Sequence, residues 1–69
     1  MTRVYEVPTI SCDHCKHTIE GAVSKVSGVE LVTVDVTSKT VQVDGEASDT
    51  TVRAAIEDAG YGVAGVRPA

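Results

Sequence analysis

The apolar residues of this 69-residue chain switch from a spacing of two to a spacing of three and four, and they do so twice in the same order. In the first half, Tyr5 and Val7 fall on one face of an alternating stretch that begins at Val4, the mark of a half-buried strand. Pro8-Thr9-Ile10-Ser11 breaks that strand. Cys15, Ile19, Ala22, Val23 and Val26 then form one helical stripe, with Lys16, His17, Glu20, Ser24 and Lys25 on the other side. Gly28 is the stop signal. Gly21 sits inside this helix on the polar face, where it costs about 1 kcal/mol relative to Ala.

Val32, Val34 and Val36 alternate with Thr33 and Asp35, Thr37-Ser38-Lys39 reads as a turn, and Val41 and Val43 alternate with Gln42 and Asp44. The short connection predicts an antiparallel hairpin. The second half then closes as the first began. Ser48 is a helix N-cap, with Asp49 in the first turn where negative charge suits the helix dipole. Val52, Ala55, Ile56 and Ala59 make the second stripe, Gly60 ends it, Tyr61-Gly62 turns the chain, and Val63–Val66 is expected as a last edge strand. The order is βαββαβ. It predicts an α+β, ferredoxin-like fold with two helices packed on one face of a four-stranded antiparallel sheet.

A chain of this length supports one domain, spanning residues 1–69, with a thin core: it buries only roughly 60% of its unfolded surface. No apolar run approaches the ~20 residues of a membrane span, and residues 1–6 lack an apolar signal stretch. These features point to the cytoplasm, or to a soluble piece of something larger. Six Lys and Arg stand against ten Asp and Glu, for a net charge of −4. That balance argues against nucleic acid and against an anionic membrane surface. For a protein partner recognised by charge, complementary basic patches are the simplest expectation. The acidic positions Glu20, Glu30, Asp35, Glu57 and Asp58 otherwise read as a solvated face.

Both cysteines lie within Cys12-Asp13-His14-Cys15. A bridge between them closes too small a loop to constrain the unfolded chain, so these thiols serve chemistry rather than stapling. They stand at a helix start, where unpaired N–H groups and the dipole favour thiolates. Cys15 opens the apolar stripe and should point partly inward, whereas Cys12 lies on the loop and should be more exposed. Thiolates are soft ligands and select soft metals, Cu(I) foremost. Structural zinc wants four ligands and usually draws on a second Cys or His pair elsewhere, which this chain lacks. A two-thiolate site stays open to invasion by a partner's thiolate, the behaviour of a carrier. Nothing resembles an activated nucleophile with its base or a cofactor-binding loop, so no enzyme is expected.

The whole chain resembles the heavy-metal-associated domain family of copper chaperones and copper-ATPase N-terminal domains. The residues that carry the likeness are Cys12-Asp13-His14-Cys15, Ser27-Gly28-Val29, and Ala55-Ile56-Glu57-Asp58-Ala59-Gly60-Tyr61. The resemblance implies a βαββαβ fold with Cu(I) on Cys12 and Cys15. It also implies delivery to the metal-binding region of a copper-transporting P-type ATPase, with a copper-sensing repressor as a second client. The family usually has Met two residues before the first Cys, packed under the loop; Ile10 stands there, of similar size but stiffer. Tyr61 matches a position where bacterial members often carry Tyr and eukaryotic chaperones Lys, beside the metal site, and this implies an outer-shell role.

Four other readings stay open on the residues alone. The chain could be one domain of such an ATPase. Asp13, a hard oxygen donor, and His14 would support a Zn(II), Cd(II) or Hg(II) relative. Cys-x-x-Cys is also the signature of a dithiol–disulfide redox protein, and a scaffold domain with ordinary thiols is the blandest option. Asp13 is otherwise a helix-start residue, and His14 and His17 at i, i+3 face solvent. The chain is read as a monomer, with His14 available to a metal-bridged dimer.

Overall fold

The computed structural model describes residues 2–11 and 13–68. The elements are β1 (Thr2–Glu6), α1 (Asp13–Ser24), β2 (Val29–Asp35), β3 (Thr40–Gly45), α2 (Asp49–Asp58) and β4 (Gly65–Pro68), in the expected βαββαβ order. The strands make one sheet ordered β2-β3-β1-β4, antiparallel throughout. Tyr5, Val34, Val41 and Val43 of the sheet share one apolar cluster with Cys15, Ile19 and Val23 of α1 and Val52 and Ile56 of α2. Glu6, Thr33 and Gln42 lie on the exposed face. The fold is the ferredoxin-like arrangement that the alternation required: one sheet face covered by two helices, the other wet.

α2 starts where its cap places it. The Ser48 hydroxyl accepts a hydrogen bond from the Thr51 backbone N–H at 3.2 Å, which satisfies one orphan donor of α2 and contributes about 1 kcal/mol. Val7, Val26 and Val36 fall just outside the elements to which the spacing assigned them, and two starts differ more. β4 runs over Gly65–Pro68 rather than Val63–Val66, because pairing with β1 begins only where Gly65 meets Glu6. Residues 61–64 are spent in returning from the end of α2. Pro68, which cannot donate a ladder bond, is tolerated because β4 is an edge strand. β2 begins earlier than the Val32 alternation indicated, at Val29, and the register shifts between Val29 and Leu31. Leu31, in step with Thr33 and Asp35, lies 61% exposed on the wet face, where alternation would reserve a polar residue.

Two glycines form a tight crossing between the end of α1 and the end of β3. Gly28 has φ 94° and Gly45 φ 133°. A Cβ on Gly45 would collide with the Gly28 carbonyl oxygen, and one on Gly28 would come within 2.9 Å of the Ala47 nitrogen. The Gly28 carbonyl instead accepts from the Glu46 N–H at 2.9 Å. Gly21 is different: a Cβ there meets nothing within 4 Å, so packing does not call for it.

The β2–β3 turn is held by Asp35. Its Oδ1 accepts from the backbone N–H groups of Thr37 at 2.9 Å and Ser38 at 3.2 Å. These bonds, that from Ser38 foremost, hold the carboxyl below the usual aspartate pKa.

Two predictions follow from this local chemistry. Gly21→Ala should raise stability by about 0.5–1 kcal/mol, whereas Gly45→Ala should lower it by ~2 kcal/mol or more, both read by denaturant titration. For Asp35, the depressed folded pKa means its stabilisation is complete above the ordinary aspartate value and fades as pH falls through the folded one. Asp35→Asn should therefore flatten the stability profile on that acid limb and leave its slope near neutrality unchanged, as followed by thermal melts across pH.

Candidate metal centre

Strand register decides which loops meet. Glu6, the last residue of β1, pairs with Thr40 of β3 on one side and Gly65 of β4 on the other. Three connections therefore gather at one end of the sheet: the segment before α1, the β2–β3 turn, and the return from α2 to β4. The Ala64 N–H donates to the Glu6 carbonyl at 2.7 Å, and the Val7 N–H to the Lys39 carbonyl at 2.9 Å. These bonds tie the three together.

The segment before α1 has buried anchors and an exposed crest. Val7 and Ile10 are fully buried, while Pro8, Thr9 and Ser11 are exposed. The Ile10 N–H closes back on the Val7 carbonyl at 3.1 Å. Ile10 is thus a buried anchor of this segment. Cys12 lies outside the described residues. Asp13 begins α1 and is exposed, with its carboxylate in the first turn where the dipole favours it.

Cys15, also in the first turn, is only 9% exposed and belongs to the apolar cluster with Ile19 and Val23. Its sulfur lies 4.0 Å from the Ser11 hydroxyl. The thiol thus combines an apolar seat, a hydroxyl neighbour and a helix N-terminus, the last of which favours the thiolate. His14 and His17 are both exposed on the outer side of α1, and the carbonyl of His14 accepts from the Thr18 hydroxyl at 2.9 Å. Among the described residues, no three His, Cys, Asp or Glu side chains gather into a group that could hold a metal ion. Tyr61 is half-buried against the core, in the loop that register brings to this end of the sheet.

Two contacts were not singled out from the sequence. Ser11 precedes Cys15 by four residues, so its signal lay within the motif. The second is Lys39, whose Nζ donates to the Ile10 carbonyl at 2.6 Å. These residues are 29 positions apart, and no local pattern announces the pair.

The chain shares its sequence pattern and fold with known proteins. The chain is 38% identical over 66 residues to the copper chaperone CopZ of Staphylococcus haemolyticus, spanning 91% of this chain and 97% of the relative. The solution structure of apo-CopP from Helicobacter pylori superposes with a TM-score of 0.83 at 35% identity, over 91% of this chain and 98% of the other. The Cu(I)-loaded N-terminal domain of a potential copper-translocating P-type ATPase from Bacillus subtilis superposes with a TM-score of 0.84, over 99% of this chain and 91% of that one. Its 23% identity speaks for the fold alone. No helix among the described residues is long and apolar enough to cross a membrane. The heavy-metal-associated domain pattern matches residues 4–62, which take in the cysteine motif, both helices and Tyr61, and the chain belongs to the heavy-metal-associated domain family.

Proposed function

We propose that this chain is a copper chaperone: a single domain that binds one Cu(I) through the thiolates of Cys12 and Cys15 and passes it by ligand exchange to the metal-binding domain of a copper-transporting P-type ATPase. The observation that carries the reading is the placement of Cys15, seated in the core at the first turn of α1 beside the Ser11 hydroxyl. Family membership and the copper-chaperone name of a 38% identical relative support copper as the cargo.

The chemistry follows from the donor set. Two thiolates match a soft monovalent ion. The exposed positions of His14, His17 and Asp13 favour a solvated helix face over additional ligands. Cys15 holds its sulfur on the rigid helix, and Cys12 is expected to present the second from the loop. A site with two ligands leaves room for an incoming thiolate, so the ion moves through shared intermediates without being released. The acceptor is proposed on likeness of fold to an ATPase N-terminal domain, which would offer a site of similar shape. A copper-sensing repressor is a second client by family resemblance. Ile10 and Tyr61 support the site from outside the ligand shell. The chain is taken to act as a monomer in the cytoplasm, where thiols stay reduced, and as a binding protein rather than an enzyme.

The test is an anaerobic competition in which reduced protein meets equal Cu(I) and Zn(II), each buffered by its own chelator. One copper per chain should be retained and lost in the Cys12→Ser, Cys15→Ser double variant, with the fold unchanged by circular dichroism. Preferential retention of zinc would contradict the copper assignment, and retention of neither metal would leave thiol redox chemistry as the function of the pair.

A further inference from the structure

Lys39 is the one described non-glycine residue with a left-handed backbone, at φ 58°. Such a conformation disfavours side chains with a Cβ and persists only where the surroundings hold it. Here they do. The Asp35 carboxylate fixes the turn through Thr37 and Ser38, and the Ser38 and Thr40 hydroxyls lie 2.8 Å apart. Glycine is the natural occupant of such a position, yet this chain carries a long cationic side chain whose ordering costs entropy.

What that side chain does is specific. The Lys39 carbonyl accepts from the Val7 N–H at 2.9 Å, and its ammonium donates to the Ile10 carbonyl at 2.6 Å. One residue of the β2–β3 turn therefore grips both ends of the Val7–Ile10 turn, which delivers the chain to Ser11 and Cys12. The Val7 bond depends only on backbone; the Ile10 bond is charge-assisted and depends on the side chain. We infer that Lys39 is a positioning residue that clamps the Ile10 carbonyl, fixing where the metal-binding loop starts and slowing release of the bound ion.

The assignment to metal handling rests on the copper-carrier reading, but the clamp itself does not. Pre-organisation of a ligand loop reduces the ordering cost of binding, and a loop held at its root opens less readily to let the ion leave. The Lys39 ammonium is bonded to the Ile10 carbonyl; it acts through the peptide that precedes the cysteine motif.

Lys39→Gly relieves the backbone strain and removes only the side-chain bond, while Lys39→Arg keeps a cationic donor. Amide hydrogen exchange on the metal-free protein separates the two bonds. The Ile10 N–H donates to the Val7 carbonyl, so its exchange reports opening of the turn that the Lys39 ammonium closes through the Ile10 carbonyl. In Lys39→Gly it should exchange about tenfold faster, the scale on which a lost charged hydrogen bond destabilises the closed turn, while the Val7 amide, bonded to the Lys39 carbonyl, keeps its protection; Lys39→Arg should restore Ile10. Cu(I) loss to a bathocuproine chelator should quicken by a similar factor in Lys39→Gly and return toward the original rate in Lys39→Arg. Unchanged Ile10 exchange, equal loss at Val7 and Ile10, or failure of arginine to restore either readout would overturn the clamp. Faster exchange at Ile10 with unaltered copper loss would overturn its role in metal release. If the unaltered chain takes up no Cu(I), the carrier reading fails on its own, and the metal-free exchange data still judge the clamp.

Discussion

The seating of the Cys15–Ile19–Val23 stripe of α1 on the sheet is the interaction on which the rest depends. Those three side chains share one cluster with Tyr5, Val34 and Val41, and all six are at most 9% exposed. Removing a buried Ile or Val side chain typically costs ~2–5 kcal/mol, comparable with the whole stability of a domain this small. Cys15 is part of that stripe. Its sulfur is thus positioned by the same packing that makes the chain fold, and it cannot drift without unseating the first turn of the helix.

The segment before α1 is the other half of the design. Its two ends are buried at Val7 and Ile10, and its crest at Thr9 and Ser11 is exposed. The end of the sheet where β1 stops also receives the β2–β3 turn and the return from α2, because antiparallel pairing of Glu6 with Thr40 and with Gly65 leaves no other arrangement. Fold topology alone therefore brings Tyr61 and Lys39 to the end of the sheet from which the chain runs into α1. A sulfur fixed by the core beside a tethered loop would suit the proposed carrier, which has to hold an ion firmly yet yield it to a partner.

The sequence disclosed what is encoded locally. The stripe beginning at Cys15, the Ser48 cap and the Val32/Val34 and Val41/Val43 hairpin were all legible from spacing, since each depends on neighbours within a turn or two. The misplaced edges have equally physical causes. β4 starts at Gly65 because its partner β1 sets the register, a non-local choice that Val63 and Val66 could not reveal. The start of β2 was hidden because the irregularity near Leu31 interrupts the alternation from which strands are read. At the candidate site, Cys15 and Ile10 were placed from the motif. The hold of Lys39 on Ile10 was invisible, because an unremarkable turn residue gains its meaning only when the hairpin folds against a loop far away in sequence.

The central claim is that the cargo is Cu(I) held by two thiolates and nothing else from this chain. X-ray absorption at the copper edge of the anaerobically loaded protein reads that shell directly. The account predicts an edge of monovalent copper with two sulfur scatterers and no nitrogen or oxygen neighbour. An imidazole signature, or an oxygen at bonding distance, would bring His14 or Asp13 into the shell and contradict the two-thiolate carrier.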